Sequence, residues 1–436
     1  MKKTDFEKYK KSRLLVIIEA TLEYFIAISV TTTFLTAILN EMGVSASLQG
    51  IINAITSLAC TAQLIAVFTV KKSFPCKRWI SILSLISQLL FALLYCVPSV
   101  KLETHIKVVI FIGVLSVAYL LQHFLTPSRT QWQMSLVEDG KRGVFTANKE
   151  IVSLIGGMIF SQGAGILLDY LKGKGEINLF FIVMGVTVTA LAISHLVVIL
   201  ATKEPEEEQE ISQDSKKSFG EIIKTVFGSA TLRRLIIFDA LFAVACASIH
   251  FYPAYMTQTV GVNYTYLTTV GIICSLFRAL ISRGLGRLAD KRSWIYMMSI
   301  CIAVLAAGFA RSSFCTAEVG IFIYPVYSLC YYFSLGGTNS GRVNLFLDYV
   351  SHSDRRYILG VKSAISGVIE FAVTILISLF ISAAEKGDGT VLGTALGTAL
   401  GASIHPQQIL FAASAIILLL LIIFYIPILK KQKTNR

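Results

Sequence analysis

The amino-acid sequence predicts an all-α membrane protein with twelve transmembrane helices, arranged as two pseudo-symmetric bundles of six. The first observation behind this prediction is composition. The 436 residues are 55% hydrophobic and only 15% charged, and the mean hydropathy is +0.69. Soluble domains carry about 25% charged residues, whereas apolar runs longer than about 18 residues are typical of membrane helices. The second observation is an internal repeat of charged residues.

The repeat places charges at matched positions in the two halves of the chain. The matched sets, separated by 213 and 220 residues, are Arg129, Arg142 and Lys149 with Arg342, Arg355 and Lys362, and Arg13 and Glu19 with Arg233 and Asp239. Membrane proteins built from two repeated halves are typically secondary transporters, because a site between similar halves can open to either side in turn. The repeat therefore favours transport by alternating access.

Apolar runs divide each half into six predicted spans. Spans 1 to 6 cover residues 14–39, 46–70, 79–97, 107–134, 146–170 and 178–200. Spans 7 to 12 cover residues 234–258, 265–285, 293–311, 318–348, 358–384 and 406–429. The sequence thus predicts an N-terminal six-helix bundle at 1–200, a polar cytoplasmic linker at 201–232 and a C-terminal six-helix bundle at 233–436.

The basic residues give the predicted orientation. Lys and Arg are concentrated in one set of alternate loops, together with the two termini, so the positive-inside rule places both termini in the cytoplasm. The net charge of +13 is then an orientation signal rather than a nucleic-acid surface. The apolar run after the basic start is too long for a signal peptide, so we expect it to be retained as span 1 of a multi-pass protein of the cytoplasmic (inner or plasma) membrane.

A motif lies between predicted spans 8 and 9. It reads Gly286-Arg-Leu-Ala-Asp290-Lys291-Arg292 and resembles the GxxxD(R/K)xGRR loop signature of the major facilitator superfamily. The first-half loop at 71–78 departs from the signature, with Pro75 in the aspartate place. The resemblance implies a gate in which Asp290 faces the start of span 5, near Arg142, and latches the outward-open state. The expected gate residues are Gly286, Asp290, Lys291, Arg292, Arg142 and Asp239.

Charged side chains inside the predicted spans are costly, so each requires a reason. Seven of them lie six or seven residues from the cytoplasmic side, about 9–12 Å deep. These are Glu19, Arg129, Lys149, Asp239, Arg278, Arg342 and Lys362. One interpretation is an anion site, because guanidinium groups contact a carboxylate or phosphate at two points. The other is an ion-pair network between the halves, with Glu19 and Asp239 paired to Arg342 and Arg129.

Span 10 adds aromatic and polar candidates. Tyr324, Tyr327 and Tyr331 share one helix face, which continues into a polar stretch at Asn339. Ligand pockets use this mixture to stack a ring and fix its orientation. Arg278 has no matched charge in the first half and is the favoured ligand contact. The full set of predicted substrate-binding residues is Arg278, Tyr331, Asn339, Arg129, Arg342, Lys149 and Lys362.

Acidic residues deep in the spans predict proton coupling. Glu23 and Glu370 lie near the middle of spans 1 and 11, and a buried carboxyl without a fixed partner can load and release a proton. Glu19 lies four residues from Glu23 on the same helix face and extends this path toward the cytoplasm. The alternative is that these carboxyl groups are neutral and only hydrogen-bonded to neighbouring spans. His250 is interpreted as a packing residue.

The motifs of the main enzyme classes are absent from the sequence. HExxH, GxSxG and GxxxxGK[ST] do not occur, and the six histidines are scattered. We therefore expect neither an enzyme nor a cofactor or metal site. The sequence predicts a monomeric symporter that moves a small polar solute, an organic anion or a sugar-like metabolite, with a proton or another ion. The alternatives are efflux of a drug-like compound and a transport-inactive ligand sensor.

Overall fold

The computed structural model describes residues 9–69, 76–137, 142–203, 218–347, 349–350, 355–385 and 405–427. In these ranges the helices are joined by short turns, and no β-strand is formed. Eleven described helical segments are long and apolar enough to cross a membrane. The 28-residue helix Gly320–Leu347 supplies a twelfth span. The predicted fold class, an all-α membrane protein of twelve helices, is confirmed.

The spans of the first half are each one helix except for spans 1 and 2. Span 1 comprises Lys10–Ser29 and Thr32–Glu41, and span 2 comprises Ala46–Asn53, Ile55–Ala59 and Thr61–Thr69. Spans 3 to 6 are Cys76–Leu94, Thr104–Ser135, Arg142–Gly173 and Ile177–Ala201.

The second half begins with a short helix, Phe219–Gly228, that precedes span 7. Span 7 comprises Ala230–Cys246, a 3₁₀ turn at Ala247–Phe251, and Tyr252–Gln258. Spans 8 to 11 are Tyr264–Lys291, Trp294–Ser312, Gly320–Leu347 and Arg355–Glu385. Span 12 is Pro406–Leu420, continued by a π-helical turn at Leu421–Tyr425.

The chain forms two compact units: Met1–Val44 with Ala59–Lys216, and Ser45–Leu58 with Lys217–Arg436. The first half of span 2 therefore packs with the second unit, a detail that no sequence signal marks. Residues 204–217 of the predicted linker lie outside the described residues, and the predicted boundary at 201–232 stays a prediction.

Helix packing follows the same plan in both units. In the first unit, span 1 packs on spans 5 and 6, span 3 on spans 4 and 6, and the end of span 2 on span 4. In the second unit, span 7 packs on spans 11 and 12, span 9 on spans 10 and 12, and span 8 on span 10. This agreement bears out the internal repeat that the matched charges indicate.

Small residues allow the close approach of spans 1 and 5. A methyl group at Gly156 would lie 2.8 Å from Cζ of Phe25, so only glycine leaves room for that ring. Phe25 in turn stacks on Phe160 with ring centroids 5.2 Å apart. Small residues at helix interfaces are typical of membrane bundles, where van der Waals packing drives association.

Two helix boundaries differ from the sequence prediction. The motif at 286–292 is not in a loop, because span 8 continues as a helix to Lys291 and the next helix begins at Trp294. The prediction that span 8 ends at residue 285 is therefore wrong.

Span 7 also differs from the single helix that the sequence predicts. It contains the 3₁₀ turn, after which Pro253 stands in the first turn of the next helix. Proline is favoured there because its missing N–H has no helical partner to lose.

Candidate functional site

The first unit contains a buried cluster of charged side chains centred on Glu19. Its carboxylate is 1% exposed and lies 3.9 Å from Nη1 of Arg129. The closer partner of Arg129 is Glu23, which contacts Nη2. One guanidinium of span 4 therefore forms ion pairs with two acids of span 1.

Neutral and basic groups complete the first cluster. Gln133 donates to Oε2 of Glu19 at 2.6 Å and accepts from Nζ of Lys149 at 3.0 Å. Lys149 thus reaches the acid through an amide rather than by direct contact. An amide bridge of this kind keeps both charged groups hydrogen-bonded while they are buried.

His195 on span 6 closes the other side of the cluster. Its Nε2 lies 3.1 Å from Oε1 of Glu19, and its Nδ1 lies 3.1 Å from Nε2 of Gln88. The imidazole therefore lies between the carboxylate of Glu19 and the amide of Gln88. Ligand atoms of Glu19, Glu23 and His195 lie within 4.8 Å of one another, but Arg129 already supplies the positive charge that a metal ion would bring.

The second unit contains a matched cluster centred on Asp239, also 1% exposed. Its Oδ1 accepts from Nε of Arg342 at 2.5 Å, and its Oδ2 accepts from Ser366 at 2.5 Å. Nζ of Lys362 lies 3.2 Å from Oδ2. Two cations thus contact one carboxylate. Both clusters pair each acid with cations of its own unit, so these contacts are not the inter-half pairs that were considered.

A cavity of about 150 Å³ lies beside the second cluster. This is the liquid volume of about five water molecules. Its polar lining residues are His250, Tyr331, Ser334, Thr338, Arg342 and Glu370, and its apolar lining includes Phe242, Ala243 and Cys246. Three predicted residues, Arg342, Tyr331 and Glu370, thus meet in one space.

Arg342 presents a guanidinium that is only partly used. Its Nε binds Asp239, and the group lies over the ring of Phe242, 5.0 Å from the centroid. Within the described part of the chain its guanidinium makes no other hydrogen bond. The side chain is 27% exposed. The terminal nitrogens are therefore held in place and remain able to bind an acceptor.

Ser334 adds a second unused polar group. Its hydroxyl oxygen is buried and has no hydrogen-bond partner among the described residues, although the residue lines the cavity. A buried hydroxyl without a partner costs roughly 1–3 kcal/mol. A bound solute with a polar atom at this point would remove that cost.

Glu370 faces the same cavity and pairs with His250. Nε2 of His250 lies 2.9 Å from Oε1 of Glu370, and the two side chains are 15% and 21% exposed. In the described ranges no Lys or Arg forms an ion pair with this carboxylate. His250 belongs to the 3₁₀ turn of span 7, and its backbone carbonyl accepts from Nδ2 of Asn53 at 2.9 Å.

Several predicted residues lie elsewhere. Asn339 is exposed, and neither it nor Arg278 is among the residues that line the cavity. The stem of Arg278 lies beside Gly336 on span 10, and its guanidinium makes no ion pair with any described residue. Lys149, Arg129, Glu19 and Glu23 belong to the first cluster. Their roles in substrate binding and proton coupling stay predictions.

The predicted gate residues lie at the end of span 8. Gly286, Asp290 and Lys291 occupy its last turns, and Arg292 follows, with its guanidinium 5.9 Å from the ring centroid of Tyr296. The side chain of Arg142 lies outside the described ones. The Asp290–Arg142 gate stays a prediction, and Asp239 belongs to the second cluster.

Sequence reasoning missed the uncharged members of the site. Gln88, Gln133, Ser334 and Ser366 carry no charge that would stand out in an apolar span. His195 could have been found, because a histidine inside an apolar run is as unusual as a charge. His250 was noticed but interpreted as a packing residue.

The sequence profile of the Major Facilitator Superfamily matches residues 20–383. The chain belongs to the Major Facilitator Superfamily. It is therefore a transporter rather than an enzyme, a multi-pass membrane protein that moves small solutes by secondary transport. The predicted family is confirmed. A search of curated protein sequences finds no match.

Solved structures with the same fold include three transporters. A D-xylose-proton symporter has a TM-score of 0.72 and 12% identity, covering 97% of this chain and 99% of that one. The nucleoside transporter NupG has a TM-score of 0.68 and 13% identity, covering 96% and 99%. A bacterial homologue of the human lysosomal transporter Spinster, inward-facing and unoccupied, has a TM-score of 0.68 and 15% identity, covering 98% of each. At these identities the likeness shows the fold alone.

Proposed function

We propose that this superfamily member is a proton-coupled symporter of a small solute that carries a carboxylate. It acts as a monomer in the cytoplasmic membrane, with both termini in the cytoplasm. The solute binds in the cavity of the second unit. The observation that carries the proposal is the guanidinium of Arg342, oriented by Asp239 and Phe242 but otherwise without a hydrogen bond in the described part of the chain.

Charge balance favours an anion at Arg342. Asp239 compensates one of the two cations that contact it, which leaves the other positive charge next to the cavity. A carboxylate can accept two parallel hydrogen bonds from a guanidinium whose orientation is already fixed. Because Asp239 and Phe242 hold the group in place, little side-chain entropy is lost when the anion binds.

The remaining cavity atoms suit a small polar body. Ser334 offers a hydroxyl without a partner, Tyr331 a ring face, and Cys246 and Ala243 an apolar wall. A volume near 150 Å³ favours a small solute, since the pockets of drug-sized ligands measure about 300–1,000 Å³. Hydroxyl-rich sugars remain compatible with Ser334 but leave the guanidinium without a counter-charge.

Proton coupling is best placed at Glu370. Glu19 and Glu23 both form ion pairs with Arg129, whereas the partner of Glu370 is an imidazole. Glu370 and Arg342 line the same cavity, so an ionised Glu370 repels an anion bound at Arg342. Protonation removes this negative charge and strengthens anion binding. By reciprocity, a bound anion favours protonation, and the two are therefore loaded together.

The first experiment compares Arg342→Gln with Arg278→Gln. Ligand-induced thermal stabilisation is measured on purified protein with a panel of organic anions, sugars, nucleosides and drugs. Arg342→Gln should weaken anion binding about 10- to 150-fold, since a charge-assisted hydrogen bond contributes about 1.5–3 kcal/mol. Arg278→Gln should leave it unchanged. The reverse ranking, or hits only among neutral or cationic drugs, would contradict the proposal and favour the efflux alternative.

The second experiment tests coupling with Glu370→Gln. Wild-type affinity for the anion should rise as pH falls, because protonation of Glu370 removes the repelling charge. The glutamine variant should bind tightly at every pH, exchange solute across proteoliposomes, and fail to accumulate it under a proton gradient. Weaker binding in this variant would instead mean that Glu370 holds an amine of a zwitterionic solute. Binding without any flux in the wild type would identify a sensor.

A further inference from the structure

The helix Phe219–Gly228 carries an apolar face that is only partly buried by protein. It begins after Ser218, whose backbone N–H donates to Oε2 of Glu221 at 2.9 Å in a capping box. The cap fixes the first turn of a ten-residue helix that would be too short to be stable on its own. Tertiary contacts or another surface must therefore stabilise it.

The apolar side chains occupy one continuous arc. At about 100° per residue, Ile222, Val226, Phe219, Ile223 and Phe227 follow one another around the helix over about 140°. One edge of this arc is buried in the second unit, because Ile222 and Val226 are 0% exposed. The other edge is exposed, with Phe219 at 52% and Phe227 at 47%. The helix packs on spans 7 and 11.

The short helix ends directly before span 7 begins at Ala230. Ser229 follows the helix and caps span 7 by accepting from the N–H of Leu232. Nη1 of Arg233, in the first turn of span 7, donates to the carbonyl of Phe227 at 3.0 Å. The C-terminal end of the short helix is thus tied to the beginning of a membrane helix. Aromatic side chains at this depth partition into the headgroup region of a membrane.

Basic groups flank this edge. Lys224 and Arg234 are exposed, whereas the carboxylate of Glu221 is engaged in the cap. Lys224 lies about 60° beyond Phe227 on the helix, where a long side chain can extend toward lipid phosphates. The local charge is therefore positive, and an anionic surface complements it.

We propose that Phe219–Gly228 docks on the membrane surface and recognises anionic phospholipid. Phe219, Ile223 and Phe227 enter the headgroup region, and Lys224 and Arg234 contact lipid phosphates. Insertion of one apolar edge combined with basic residues is the chemistry of interfacial amphipathic helices. This inference is independent of the solute and of proton coupling.

Tryptophan scanning tests the insertion. Phe219→Trp and Phe227→Trp are compared with Thr225→Trp, an exposed position on the polar side of the same helix, in full-length protein reconstituted into vesicles. The signal is the tryptophan fluorescence in excess of that of the wild type. Brominated lipid should quench the fluorescence of Phe219→Trp and Phe227→Trp. Aqueous acrylamide should quench that of Thr225→Trp. Equal acrylamide quenching at all three positions would overturn the proposal.

Charge removal tests the lipid specificity. The thermal midpoint of wild-type protein should be higher in phosphatidylcholine vesicles containing phosphatidylglycerol than in phosphatidylcholine alone. Lys224→Gln and Arg234→Gln should each weaken the response to phosphatidylglycerol up to about fivefold, and salt should weaken it further. Lys203→Gln, which removes an exposed charge outside the helix, is the matched control. An equal effect of the control, or no response in the wild type, would overturn the proposal.

Discussion

The two charged clusters occupy matched places in the two halves of the chain and differ in the acidic groups that contact the arginine. The matched pairs, at offsets of 220 and 213 residues, are Glu19 with Asp239, Arg129 with Arg342, Lys149 with Lys362 and Ser153 with Ser366. In both units a carboxylate that is 1% exposed binds the arginine of the unit's fourth span.

The two clusters differ at the residue one helical turn after the central acid, which is Glu19 in the first unit and Asp239 in the second. Glu23 contacts Nη2 of Arg129 in the first unit. The position matched to it by the offset of 220 is Ala243, which is 2% exposed and lines the cavity. Where the first unit has a second carboxylate on the guanidinium, the second unit has a methyl group and open space.

Ala243→Glu should have the largest effect, because it rebuilds the first cluster in the second unit. The new carboxylate would occupy the terminal nitrogens of Arg342 and exclude a carboxylate ligand. Loss of two charge-assisted hydrogen bonds, each contributing about 1.5–3 kcal/mol, predicts at least about a 100-fold loss of anion affinity. Ligand-induced thermal stabilisation measures it.

Ala243→Gln is the matched control for that experiment. It fills nearly the same volume but brings no negative charge, so it should weaken binding much less than the glutamate does. If both variants bind the anion as tightly as the wild type, the space beside Ala243 is not the binding site. If both lose binding equally, volume rather than charge explains the effect.

The sequence predicts the charged half of this comparison well and the uncharged half poorly. Glu19, Arg129 and Lys149 stand out because charge is rare in apolar spans, and the offsets identify their counterparts. Their partners Gln133 and Ser366 do not stand out, because amides and hydroxyls occur in many membrane helices. The 3₁₀ turn that places His250 opposite Glu370 depends on tertiary contacts, such as the bond from Asn53, that no local pattern encodes.

Arg278 illustrates the limit of arguing from symmetry alone. A charge without a counterpart in the other half was favoured as the ligand contact, yet the structure places Arg342, which has a counterpart, at the cavity. A repeat can keep the same residue in two places while its neighbours diverge. Here the neighbour, Glu23 in one half and Ala243 in the other, distinguishes the two arginines.

The next prediction compares the same substitution, arginine to glutamine, at Arg129 and at Arg342. Arg129→Gln leaves Glu19 and Glu23 without a guanidinium, and an uncompensated buried charge costs about 3–5 kcal/mol. In Arg342→Gln, Asp239 keeps Lys362 and Ser366, so the cost should be nearer 1–3 kcal/mol. The free energy of unfolding in detergent, titrated with dodecyl sulfate, measures both.

Opposite phenotypes are therefore expected from one change of residue type. Arg129→Gln should unfold more readily while the protein that remains folded still binds the anion. Arg342→Gln should lose less stability than Arg129→Gln and be defective in binding. Equal losses of stability would mean that both clusters serve mainly to hold their helices together.

The smallest expected effect comes from the matched serines. Ser366 donates to the buried carboxylate of Asp239 at 2.5 Å, whereas Ser153 lies 3.2 Å from the hydroxyl of Thr21. A hydrogen bond to a charged group contributes about 1.5–3 kcal/mol and one between neutral groups about 0.5–1.5 kcal/mol. Ser366→Ala and Ser153→Ala each remove one hydroxyl oxygen. The difference between their free energies of unfolding therefore reports the effect of a charged rather than a neutral hydrogen-bond partner. A larger loss for Ser153→Ala would show that Asp239 does not need its serine, and that Lys362 and Arg342 alone suffice to stabilise the buried carboxylate.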